Sequence, residues 1–255
     1  CALTAIVPVA LFLRDWPADV GALPFGASED HAPLPLTSGN PIVNAFDGLK
    51  MASRSLDFWL LAGTFFVCGL STNGLIGTHL IPASIDHGMA EVAAASMLAI
   101  VGIFDVVGTV FSGWLTDRWD SRKLLFIYYG LRGLSLILLP LAFGAPQFAM
   151  IAFIVFYGLD WVATVPPTVS LASDLFGRSK GPIIYGWVFS AHQIGAAVAA
   201  TGAGLVRGAT GDYLLAFLTA GLACLVAAGM SLAIGRRGAR SEVVPTLAPG
   251  APLVR

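Results

Sequence analysis

Charge is what this sequence has least of. Its 255 residues include 14 Lys and Arg and 15 Asp and Glu, together 11%, against about 25% in soluble globular domains. With 56% hydrophobic residues and a mean hydropathy of +0.81, the chain cannot solvate an ordinary folded surface. It reads as an all-α polytopic membrane protein whose first partner is the lipid bilayer. A net charge of −1 argues against nucleic acid as a partner. The three cysteines, Cys1, Cys68 and Cys224, are too scattered for a disulfide framework or a metal site, and read as small buried apolar residues. The histidines show no metal-ligand spacing, and no cofactor is expected. A phosphate-cradling Gly-x-x-x-x-Gly-Lys loop is absent, and no Gly-x-Ser-x-Gly lies on an apolar run. A nucleotide motor and a serine hydrolase are therefore unsupported.

What is present is a series of apolar runs. Residues 1–13 are too short to span and read as the end of a helix whose start is missing, so the chain reads as a fragment. Arg14, Asp15, Trp16 and Pro17 stop that helix. Residues 14–56 are rich in Pro, Gly, Ser and Asp without a helical period, and read as a partly disordered linker. Six runs then follow within 57–235, at about 58–81, 92–115, 124–143, 148–170, 183–206 and 213–235, each long enough to cross a core of about 30 Å. Residues 236–255 read as a tail. Gly195, Ala199 and Ala203, like Ala196, Ala200 and Gly204, repeat every four residues and permit close helix contact. Pro166-Pro167 predicts a kink in the fourth span or carbonyls freed there.

The basic residues alternate by side. Arg14, Lys50 and Arg54, then Arg118, Arg122 and Lys123, then Arg178 and Lys180, then the tail arginines all fall on one side. Only Arg207 falls on the other, and Arg132 lies inside a span. The positive-inside rule puts the linker, the hairpin 116–123 and the C-terminus in the cytoplasm, with a bacterial inner membrane the expected location.

Asp105, Arg132, Asp160 and His192 interrupt apolar runs, and ionisable groups at such depth are functional candidates. At about 1.5 Å per residue they fall about 12–15 Å from the cytoplasmic end, on four helices at one level. Asp105, Thr109, Ser112 and Thr116 share a helical stripe, as do Tyr157, Asp160, Thr164 and Thr168. Two readings stand. Arg132 forms a buried pair with Asp105 or Asp160 that only joins helices, or the layer lines a wet path in which an Asp exchanges a proton. In the second reading Arg132 is also a candidate to meet an anionic substrate. The stretch Tyr157-Gly158-Leu159-Asp160 faintly resembles intramembrane aspartyl proteases but lacks the second glycine of their Gly-x-Gly-Asp element, so the chain is not expected to be an enzyme.

The charged hairpin carries a more specific resemblance. Gly113-x-Leu115-x-Asp117-Arg118 followed by Arg122-Lys123 resembles the cytoplasmic loop signature of the major facilitator superfamily, with Asp120-Ser121 where one Gly is usual. The resemblance implies the C-terminal half of a twelve-helix fold, with residues 1–13 ending helix six and the six spans as helices seven to twelve. Arg14 to Gly21, Phe176-Gly177-Arg178 and Thr210-Gly211-Asp212-Tyr213 are similar to the branch containing monocarboxylate transporters and oxalate/formate antiporters. Asp105 matches the helix-eight Asp of monocarboxylate transporters, and their partner Arg one turn on is Thr109 here. The implied function is alternating-access transport of a small organic solute, such as a monocarboxylate, with protons. Asp105, Asp160, Arg132, His192, Thr109 and Tyr157 would form the substrate and proton pathway, and Gly113, Asp117, Arg118, Arg122 and Lys123 the gating loop. An N-terminal six-helix half would complete the site. A drug or metabolite efflux pump of the same superfamily and a non-transporting membrane sensor are the alternatives.

Overall fold

The computed structural model describes residues 2–13, 20–22, 40–145 and 147–235. Arg14 to Asp19, most of the expected linker and the tail 236–255 lie outside them. Helix α1 is Ala2–Phe12 and stands as a separate unit from the rest.

From residue 39 onward the chain forms one unit. Inside the segment read as linker, Pro41–Ala52 folds as α2. Its start is encoded locally: Asn40 Oδ1 accepts from Ile42 N at 2.9 Å, and Pro41 occupies the first turn. Ala45 O accepts from the Trp187 indole at 2.9 Å, and Phe46 meets the Trp187 ring. The absent helical period was a poor guide, because one short face packed on a neighbour is enough to fix α2.

The first span comprises α3 (Leu56–Gly69), a π-helical segment at Leu70–Ile76 and α4 (Gly77–Asp86). The second is α5 (Glu91–Thr116) and the third α6 (Ser121–Gly144). The fourth is divided into α7 (Gln147–Asp160) and α8 (Val165–Phe176). Helices α9 (Gly181–Thr210) and α10 (Leu214–Ser231) are the fifth and sixth. Among the described residues six runs are long and apolar enough to cross a membrane, and most extend a few residues past the expected ends because caps lie beyond the apolar stretch. Ser55 Oγ accepts from Asp57 N to start α3, Asp120 Oδ1 accepts from Arg122 N to start α6, and Gly211 ends α9 in the left-handed region at φ 88°.

The closest helix pairs are α6 with α10, α3 with α9, and α5 with α7. All three depend on glycine. A Cβ on Gly69 would collide with His192 O, one on Gly108 with Leu159 O, and one on Gly133 with Gly221 O, so each pair of backbones approaches too closely for a side chain. Gly195, Ala199 and Ala203 are buried, Gly195 against Phe66 O. The parallel row Ala196, Ala200 and Gly204 is more open. Gly235 N donates to Asp57 Oδ1 at 2.7 Å, which joins the end of the sixth span to the start of the first.

Two apolar clusters fill the interior. One gathers Phe58, Leu61, Phe65, Leu125, Ile184 and Val188 toward the hairpin end. The other gathers Leu75, Leu80, Leu136, Phe153, Phe217 and Ala220 toward the opposite end. In the first, third, fourth and fifth spans, buried polar residues fall between the two: Ser71 and Thr72, Arg132, Asp160 and Thr164, and His192.

Candidate functional site

The fourth span is broken within this polar layer. Residues 161–164 are turns between α7 and α8. Pro166 and Pro167 are the cause: neither has an N–H, so Val162 O and Ala163 O lose the donors that a continuous helix would supply. Neighbouring groups satisfy the gap. Val165 N turns back to Val162 O at 2.8 Å. Ser112 Oγ, from α5, donates to Ala163 O at 2.5 Å. From α6, Arg132 Nη2 donates to Asp160 O at 2.5 Å and to Trp161 O at 3.2 Å. Two donors of the break are held too: Trp161 N donates to Gly158 O at 3.1 Å, and Val162 N donates to Asp105 Oδ1 at 2.9 Å. A break at membrane depth persists only where such partners surround it.

Arg132 also decides which aspartate is paired. Its Nε lies 2.6 Å from Asp160 Oδ2, with side-chain exposures of 0% and 8%. Asp105 takes part in none of the described ion pairs. It is half-buried, and its Oδ1 accepts from Thr109 Oγ1 at 3.1 Å as well as from Val162 N. The two aspartates expected at one depth are therefore unlike: one is enclosed with a cation, and the other is partly open and bound only by neutral donors.

The Tyr157–Asp160–Thr164–Thr168 stripe, expected to be wet, is buried in this chain. Tyr157 Oη donates to Ser71 O at 2.7 Å, within the π-helical segment, and Thr168 Oγ1 donates to Thr164 O at 2.6 Å. His192 is buried between Phe65 and Phe189, stacked on the latter with centroids 5.4 Å apart. Cys68 departs from the reading as a plain apolar filler. Its Sγ lies 3.1 Å from Arg132 Nη1 and 3.2 Å from Thr164 Oγ1, and His192 interacts with it. No spacing in the sequence marks Cys68, because its partners lie on α6, the fourth span and α9. Ser112 was legible from its seven-residue spacing to Asp105. Asp160 Oδ1, His192 Nδ1 and Tyr129 Oη are buried without a hydrogen-bond partner.

The hairpin residues stand apart from this layer. Asp120 forms an ion pair with Arg122 at 2.6 Å and caps α6, so the unusual Asp120-Ser121 makes an ordered helix start. Hydrogen bonding from Arg122 lowers the Asp120 carboxyl to about 2. Arg118 donates to Trp114 O at 3.0 Å and lies over the Trp114 ring. Gly113 is inside α5 with open space around it, and Asp117 and Lys123 join no described ion pair. At the opposite end Arg207 grips Asp86 with two bonds of 2.7 Å, and His79 Nε2 meets Ala200 O at 2.8 Å. Among the described residues, no three His, Cys, Asp or Glu gather closely enough to hold a metal ion.

Comparison with known proteins agrees with this architecture. The Major Facilitator Superfamily profile matches residues 1–200. Monocarboxylate transporter 12-B of Danio rerio is 31% identical over 176 residues, covering 66% of this chain and 36% of that protein. The uncharacterized MFS-type transporter YcxA of Bacillus subtilis is 32% identical over 186 residues, covering 71% and 42%. Monocarboxylate transporter 13 of Rattus norvegicus is 31% identical over 158 residues, covering 61% and 36%. The chain thus spans well under half the length of these relatives. With six apolar spans, no strand among the described residues and this match over most of its length, the chain belongs to the major facilitator superfamily of membrane transporters.

Proposed function

We propose that the chain is the C-terminal half of a proton-coupled transporter that moves a small organic solute, such as a monocarboxylate, by alternating access. The observation that carries this reading is the inequality of the two aspartates. Asp105 is half-buried with no cationic partner, and its Oδ1 accepts from Thr109 and Val162. A carboxylate in that setting is free to exchange its proton without breaking an ion pair. Asp105 is accordingly the proton or substrate residue, with Thr109 beside it. Asp160, Arg132, His192 and Tyr157 form the enclosed layer behind it, and Arg132 serves chiefly to hold that layer together. A six-helix N-terminal half faces this one and supplies the remaining contacts to the solute. Asp117, Arg118, Arg122 and Lys123 lie on the cytoplasmic side and gate that face, as the excess of Lys and Arg there supports.

The test is uptake of labelled monocarboxylates into proteoliposomes carrying the complete protein, with and without an inward proton gradient. Wild type concentrates the solute only with the gradient, and Asp105→Asn abolishes the pH dependence. Gradient-independent uptake in wild type, or an unchanged pH profile in Asp105→Asn, overturns the reading. Export of hydrophobic dyes with no carboxylate uptake would instead favour an efflux pump.

A further inference from the structure

The geometry points to Asp105 as an ionisable clasp that holds the break in the fourth span, so that its charge state sets the conformation of residues 161–164. This rests on the reading of Asp105 as the group that exchanges a proton, and adds what the exchange does to the fold. Several groups restrain the break. Ser112, Val165 N, Trp161 N and Arg132 act on carbonyls and carry no proton that is lost in the physiological range. Within the break, the Cys68 thiol meets only the Thr164 hydroxyl. An ionisable acceptor reaches a backbone N–H of the break at one place: Val162 N donates to Asp105 Oδ1. An ionised acceptor makes a hydrogen bond roughly twice as strong as a neutral one. Taking up a proton, or turning toward a bound cation or solute, therefore weakens this restraint while leaving the others intact.

The surroundings favour Asp105 as the responsive member. On α5 its neighbours are neutral, Thr109 and Ser112. From α7 and α6 the charged groups of the layer are Asp160 and Arg132, already committed to each other. Tyr128 of α6 interacts with Ser112. Thr164 at the break and Thr168 on α8 are neutral, and Asp174 of α8 lies near the hairpin end, bonded by Ser170. On α4, His79 and Asp86 are bonded to Ala200 and Arg207 toward the other end. Because Gly108 lets α5 and α7 touch backbone to backbone, a change at Val162 is carried into the helix contact directly. The consequence is a pivot: α7 and α8 are freer to change their angle when Asp105 is neutral.

The experiment is amide hydrogen exchange at Val162 in the complete protein in lipid nanodiscs, corrected for the intrinsic pH dependence of exchange. It is followed by uptake assays on the same samples. In wild type, the Val162 amide should exchange about tenfold faster when Asp105 is protonated, the factor set by loss of one charge-assisted bond. In Asp105→Asn it should exchange fast at every pH. Corrected exchange that is independent of pH in wild type, or a pH step that survives Asp105→Asn, overturns the clasp. The wild-type step alone is decisive if the variant fails to fold. The two ideas fail separately: an Asp105→Asn protein that keeps pH-dependent uptake but loses the exchange step sinks proton carriage and supports the clasp. One that loses the uptake while Val162 stays protected does the reverse.

Discussion

Arg132 Nε and Asp160 Oδ2 stand 2.6 Å apart with almost no solvent exposure, and the same guanidinium donates to the carbonyls of Asp160 and Trp161. One side chain thus balances a buried charge and caps a broken helix. Removing one partner of such a pair leaves the other charge uncompensated, at a cost of about 3–5 kcal/mol. Arg132→Gln should lower the unfolding midpoint more than Asp160→Asn, because only Arg132 also caps the two carbonyls. The double variant should be far less damaging than the two single effects added. Thermal unfolding of the detergent-solubilised protein measures all three, and additive losses would show that the pair is not coupled.

Ser112 offers a milder probe of the break. Ser112→Ala removes the donor to Ala163 O, a carbonyl that Pro167 cannot serve. An unsatisfied buried carbonyl costs about 1–3 kcal/mol. The expected result is a modest drop in unfolding midpoint with uptake retained, whereas Ser170→Ala, at the margin of the bundle, should leave both unchanged.

How much of this was legible beforehand follows from the physics of each signal. The spans were readable because about 20 apolar residues in a row have few other uses, and Pro166-Pro167 announced the break because proline lacks a donor. The identity of Arg132's partner was not readable. Asp105 and Asp160 lie at similar depths, and only the azimuth of α6 around its axis decides between them. Cys68 was misjudged for the same reason, since a thiol among apolar residues looks inert until an arginine from another helix reaches it. Helix α2 escaped because its stability comes from Trp187 and α9 rather than from its own periodicity.

The hairpin should respond to acid in one direction. Arg122 holds the Asp120 carboxyl down to about 2, below its ordinary 3.8. A depressed folded-state value means that the carboxylate contributes stability above the ordinary range, and that this contribution fades as pH falls from about 4 toward 2. The pair is partly exposed, so the effect is confined to the start of α6 and weakens with salt. Trp119 fluorescence in nanodiscs should be flat from neutral pH to about 5 and change below about 4. Asp120→Ala should remove that change, and a transition in the variant identical to wild type would assign it to another group.

At the end away from the hairpin, Asp86 and Arg207 join the α4 part of the first span to the fifth through two bonds of 2.7 Å. As an exposed, solvent-screened pair it contributes little to stability, so neutralising it should scarcely move the unfolding midpoint. Its value as a probe is positional. Between this pair and the hairpin end lies the π-helical segment Leu70–Ile76, where a wider turn makes the first span locally easier to bend. A crosslink between Asp86→Cys and Arg207→Cys, in a background with Cys1, Cys68 and Cys224 replaced, fixes α4 against α9 while leaving α3 free. If the first span flexes during the transport cycle, oxidation should arrest uptake and reduction should restore it. Full uptake in the crosslinked protein would mean that α4 and α9 move together as one body, and that the flexing lies elsewhere in the bundle.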